Sequence, residues 1–173
     1  MEKLKLIEPS IVYKDDIIDY RQEFLDNNDS MDGTANLRNI ESIEIWLDNI
    51  IANSSESTVK DGLVPASTYL AIRICDDYIV GMIDIRHRLN EYLMNFGGHI
   101  GYSVRKSERL KGYAKEMLRL GIEKCKELDV ENILVTCDKT NIGSSKTIVF
   151  NGGILENEIT EEGSITQRYW IKL

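Results

Sequence analysis

Arg109-Leu110-Lys111-Gly112-Tyr113-Ala114 stands between two runs of different period. Before it, His99-Ile100-Gly101-Tyr102-Ser103-Val104 reads as a strand; after it, Tyr113 to Leu128 reads as a helix, with Ala114, Met117, Leu118, Gly121, Cys125 and Leu128 on one face. A strand that feeds a short loop and then a helix start makes an anion site. The first N–H groups of the helix have no intrahelical acceptor, and the helix dipole favours negative charge there. Gly112, without a Cβ, lets the backbone approach a phosphate closely.

The local charge agrees. Between residues 105 and 119, Arg105, Lys106, Arg109, Lys111, Lys115 and Arg119 face only Glu108 and Glu116, a local excess of +4 in a chain of net charge −8. The remainder therefore carries −12. One cationic patch on an acidic chain suits a polyanionic ligand held at a single place, and not the broad basic surface of a nucleic-acid binder. The alternative is a solvated helix face laced with salt bridges.

The chain has 173 residues, and 42% of them are apolar, enough for one domain over residues 1–173 with a core of its own. No stretch resembles a signal peptide or a membrane span, so a cytoplasmic location and no membrane partner are expected. Cys75, Cys125 and Cys137 are too few and too scattered for a disulfide framework. With His87 and His99 as the only histidines, no metal is expected.

Outward from the loop, the periodicities order the rest. Leu4–Ile7 is a short opening strand. Tyr13, Ile17, Tyr20 and Phe24 recur at helical spacing, as do Ile43, Trp46, Leu47, Ile50 and Ile51, with the polar stretch 27–36 between them. Residues 68–74 and 78–85 form a hairpin about Asp76-Asp77. Asn132 to Cys137 is a buried strand, 141–150 a short helix stopped by Asn151-Gly152-Gly153, and 154–158 and 166–172 a closing pair of strands. The fold class is α/β (α+β): a central mixed, mostly antiparallel sheet with helices on both faces.

With these elements in place, R-x-x-G-x-A resembles the acetyl-CoA pyrophosphate loop of the GNAT superfamily of N-acetyltransferases, Q/R-x-x-G-x-G/A. Three further features are similar to that family: the strand Gly101-Tyr102-Ser103-Val104, Val135-Thr136 followed by Asn141, and Asn141-x-x-Ser144-Ser145 followed by Gly152-Gly153. The resemblance implies acetyl-CoA as co-substrate, bound by Tyr102, Ser103, Val104, Arg109, Leu110, Lys111, Gly112, Tyr113, Ala114, Asn141, Ser144 and Ser145. It implies an amine acceptor attacking the thioester directly. Residue by residue, plainer roles stay open: Asn141 as a helix cap, Ser144 and Ser145 as first-turn residues, Gly152-Gly153 as a helix stop. A homodimer is left open.

The resemblance breaks at Gly153, which replaces the phenylalanine of the family's usual Gly-Phe, and with more consequence at one further position. Many GNAT enzymes carry, seven residues after the Asn, a tyrosine that protonates the departing thiolate; Ile148 stands there. A free thiol has a pKa of about 8.5, so the leaving group needs only modest help, from water or a serine hydroxyl. For the base that deprotonates the amine, the candidates are His99 and His87, each with a structural alternative at a strand end, and Asp84 on the earlier strand. Ile148 also keeps alive a non-catalytic acyl-CoA-binding or sensor domain, and the loop alone admits an unrelated phosphate-ligand enzyme.

Overall fold

A computed structural model describes residues 2–173. Its strands form two sheets. Strands β1 (Leu4–Ile7), β2 (Ala66–Arg73), β3 (Tyr78–Arg86) and β4 (Ile100–Val104) lie in the order β1-β2-β3-β4. Strands β5 (Asn132–Asp138), β6 (Ile154–Glu161) and β7 (Ser164–Lys172) lie in the order β5-β7-β6. Every laddered pair is antiparallel. Among the described residues four α-helices complete the fold: α1 (Lys14–Asp26), α2 (Ile43–Ala52), α3 (Tyr113–Glu127) and α4 (Ile142–Phe150). Among the described residues no helix is long and apolar enough to cross a membrane.

The first sheet separates two apolar cores because alternate strand residues point to opposite faces. Leu70 and Ile72 of β2 pack with Ile17, Tyr20 and Phe24 of α1 and with Trp46 of α2. Tyr69 and Ala71 pack with Met117, Leu118 and Cys125 of α3. Strands buried on both faces lose the polar half of their alternation, which is why β2 and β3 read as nearly continuous apolar runs. The buried indole N–H of Trp46 donates to the carbonyl of Thr34 (3.0 Å), fixing the connection before α2.

The periodic reading is corrected at Ile51, which is exposed. It sits one residue past Ile50, about 100° further around α2, off the buried stripe. A π-helical turn at Leu93–Gly97 was not foreseen. The β6–β7 hairpin turns on Glu162 and Gly163, with φ of 46° and 86°, the left-handed pair that a two-residue turn between twisted strands requires.

The seam between the sheets positions everything that follows. The N–H of His99 donates to the Leu134 carbonyl (2.7 Å), and the Leu134 N–H donates to Nδ1 of His99 (3.0 Å). Beyond that clasp β4 and β5 share no hydrogen bond among the described residues, and an open cleft lies between them. The connection from α1 to α2 closes over β4. Gly33 there has a φ of 69°, and a Cβ on it would stand 2.1 Å from the carbonyl oxygen of Gly101. Only glycine allows so close an approach.

Candidate active site

The cleft holds about 1010 Å³. One wall is β4. The other is the end of β5 with the first turns of α4. The loop 109–114 closes one end, and Asp29, Ser30, Asp32 and Gly33 together with the π-turn also border the cleft.

At the loop end the backbone supplies donors. Gly112 precedes α3 with a φ of 89° and no side chain caps the helix. The N–H groups of Leu110, Lys111, Gly112, Tyr113 and Ala114 have no acceptor among the described residues. Leu110 is also left-handed, at φ 63°, and its side chain is fully exposed. A non-glycine residue in that conformation is uncommon. Here it accompanies a run of free amides beside a cleft, the geometry that binds phosphate at helix starts.

The cations of the sequence patch are mostly spent elsewhere. Arg105 is buried between α1 and β3, bonded to Tyr78 and Asp19. Lys106 donates to Asn27, and Arg119 pairs with Glu116 and Glu123. Arg109 borders the cleft, but its Nε donates to the Val104 carbonyl (3.0 Å) and its Nη2 lies 2.9 Å from Asp29. It fastens the loop to β4 and to the start of the α1–α2 connection. Lys111 turns outward to Glu108 (2.9 Å), away from the cleft. Lys115, over the ring of Phe150 (4.2 Å), and Lys146 border the cleft without a carboxylate partner among the described residues. Lys115 entered the sequence reading only through the charge count; its place three residues after Gly112, in the first turn, was the signal for it.

Along β4 the edges divide. Arg86 N–H donates to the His99 carbonyl and Arg105 N–H to the Val80 carbonyl. Antiparallel alternation therefore turns Gly101 and Ser103 toward β3, and the N–H groups of Tyr102 and Val104 toward the cleft. Ser103 is buried against Tyr20, with its Oγ 3.0 Å from the phenol oxygen. The Tyr102 side chain projects to the α4 side, where its hydroxyl lies 2.9 Å from Ser144 Oγ. Burial pushes its phenol up to about 12. Cys137, beside it on β5, is likewise raised to about 11 by burial.

Asn141 caps α4: its side-chain oxygen accepts the Ser144 N–H (3.1 Å). It borders the cleft as well. Ser145 donates to the Ile142 carbonyl and does not reach the cleft. Ile148 is completely buried, so the face of α4 where the sequence lacks a tyrosine is core.

None of the three candidate bases borders the cleft. His99 holds the seam, and burial together with the Arg86 guanidinium pushes its imidazole down to about 4. Its Nδ1 accepts a hydrogen bond, so the single proton of the neutral ring sits on Nε2 and neither nitrogen is free as a base. His87 bonds Ser67 (2.8 Å), and burial lowers its pKa. Asp84 is buried, accepts from Thr68 (2.8 Å) and lies 3.3 Å from Arg86; burial raises its pKa. Among the described residues no three His, Cys, Asp or Glu side chains gather in a way that holds a metal ion.

This architecture is shared. A structure of the microcin C7 self-immunity acetyltransferase MccE, in complex with acetyl-CoA and AMP, superposes with a TM-score of 0.70 at 18% identity, covering 100% of this chain and 94% of that one. The ribosomal-protein-S5-alanine acetyltransferase of Vibrio fischeri gives 0.67 at 15% identity, over 98% and 91%. Mutant forms of the spermidine/spermine N-acetyltransferase SpeG of Vibrio cholerae give 0.66 at 14%, over 98% and 93%. At such identities the likeness is one of fold. No curated protein sequence matches the chain. The family model for the acetyltransferase (GNAT) domain matches residues 11–152, a span that contains β4, the amide-rich loop and capped α4, and the chain therefore belongs to the GNAT acetyltransferase family.

Proposed function

We propose that residues 1–173 form one domain that transfers the acetyl group of acetyl-CoA directly to a primary amine of a small molecule or peptide. The observation that carries this is the run of five acceptor-free N–H groups at 110–114, four of whose residues line a cleft whose wall is a strand edge with free amides. Donors of that kind fit a pyrophosphate, and a free strand edge fits an extended amide chain such as pantetheine. Acetyl-CoA supplies an acetyl group already activated as a thioester.

The roles of the chain follow from its geometry. The amides of residues 110–114, with Lys115, hold the phosphates. The Tyr102 and Val104 amides pair with the pantetheine arm and polarise the thioester carbonyl as an oxyanion hole does. With His99, His87 and Asp84 away from the cleft, the ammonium proton of the acceptor passes to water.

Acetyl-CoA turnover, followed as released thiol, against a panel of primary amines that includes polyamines and N-terminal peptides, tests the assignment. Release above the hydrolytic background with at least one amine is the expected result. Tight CoA binding with no turnover across the panel favours the binding or sensor reading, which the buried Ile148 supports.

A further inference from the structure

With Ile148 buried, α4 presents no phenol to the cleft, yet a phenol reaches the first turn of that helix from the opposite wall. Tyr102 extends from β4 across the mouth of the seam to Ser144, one helical turn before Ile148, and the two hydroxyls lie 2.9 Å apart. Both residues border the cleft. Tyr102 thus bridges the two walls between which the thioester arm lies in the proposed function, on which this inference rests. Its backbone and side chain serve different ends: the N–H faces the seam, and the phenol faces α4.

We infer that the Tyr102 hydroxyl, backed by Ser144, is the proton donor to the departing CoA sulfur and replaces the tyrosine absent from α4. The step balances as follows. The amine nitrogen forms its bond to the acetyl carbon, and the carbon–sulfur bond breaks with both electrons remaining on sulfur. The Tyr102 proton moves to that sulfur, and the phenolate recovers a proton through Ser144 from water that has accepted the one lost by the amine. The groups facing the phenol suit the role. They are Ser144 and Thr147 of α4 and Cys137 of β5, with no carboxylate or cation bonded to it among the described residues. The phenol therefore stays protonated through the neutral range, as an acid must, and Ser144 holds its direction.

The test needs no knowledge of the acceptor, because CoA itself is the probe. CoA affinity is first measured by calorimetry for the full chain and for Tyr102→Phe. The thiol of bound CoA is then titrated by its thiolate absorbance in the ultraviolet, against the unliganded protein. The expected result is similar affinity near pH 7 but a bound-thiol pKa about one pH unit higher in Tyr102→Phe, because the thiolate has lost its donor. Ser144→Ala keeps the phenol and is expected to move the same pKa in the same direction by less, which secures the result should Tyr102→Phe fold poorly. With any amine that turns over, Tyr102→Phe is expected to lower kcat about tenfold to a hundredfold, with KM for acetyl-CoA little changed. Identical thiol titrations in the parent and both variants overturn the inference while leaving the cleft assignment standing. Absence of CoA binding in the parent chain overturns the cleft assignment itself, and the inference with it.

Discussion

Helices α3 and α4 both begin at the cleft, and they begin differently. At α4 the side chain of Asn141 accepts the Ser144 N–H, the ordinary way of meeting a helix's unsatisfied first donors. At α3 the corresponding position is Gly112, which has no side chain to offer, and the preceding loop leaves its amides bare as well. The seam makes the same contrast with strands. The Leu134 N–H is filled by His99 from within the protein, whereas the Tyr102 and Val104 amides are left open. A donor filled from within contributes to stability; a donor left bare beside a cleft awaits a ligand.

The contrast is broken most severely by Gly112→Asp. A carboxylate and a Cβ at the bare helix start are expected to weaken CoA binding at least a hundredfold by calorimetry, while circular dichroism still reports a folded chain. Wild-type affinity in that variant removes the loop from the binding site.

The seam gives the next largest effect, through pH. The His99 imidazole is held near 4 in the folded chain against 6.5 ordinarily. As pH falls through 6.5 the unfolded chain takes up a proton that the folded chain refuses until about 4. Stability therefore falls with pH in that window, by up to about 1.4 kcal/mol per pH unit from this one group, and levels off below it. His99→Asn, which keeps an acceptor for Leu134, is expected to flatten that slope in denaturant titrations at pH 7, 5.5 and 4.5. The pH profile of turnover should be unmoved by the same substitution; a shifted acidic limb returns His99 to the reaction.

Removing the cap at the other helix is smaller. Asn141→Ala should cost about 1 kcal/mol of stability, read as a lower Tm, with CoA affinity within about twofold of the parent. A large loss of affinity at unchanged Tm reverses the assignment and makes Asn141 a ligand contact first. Lys115→Ala sharpens the bare end. It should weaken CoA severalfold, and more at low salt than at high, because a partly exposed cation is screened.

The elements were legible where burial is one-sided or complete over a long run: α3, the β2–β3 hairpin and β5 follow directly from apolar spacing. Ile51 was misread because periodicity counts an apolar residue without knowing how wide the buried stripe is. The loop 109–114 was legible because glycine at a strand-to-helix junction has few other uses. The charges around it were not: Arg105 and Lys106 reach α1 or the residue just after it, from parts of the chain more than 75 positions away, and sequence adjacency cannot reveal such partners. The same limit applies to His99, whose bond partner is Leu134, and to Tyr102, whose hydroxyl finds Ser144 only after the two sheets meet.

Gly33 and Gly101 face each other with no side chain between them, so the width of the cleft beside β4 is set by two missing methyl groups. A Cβ on Gly33, 2.1 Å from the Gly101 carbonyl oxygen, forces the two backbones apart, whereas one on Gly101 stands 3.1 Å from the Gly33 nitrogen and 3.3 Å from Arg86 Nη1 and asks for a much smaller adjustment. The pair thus forms a coarse adjustment for an evolving chain. Because Arg109 ties the amide loop to Asp29 on the same α1–α2 connection as Gly33, a shift of this wall is passed on to the loop.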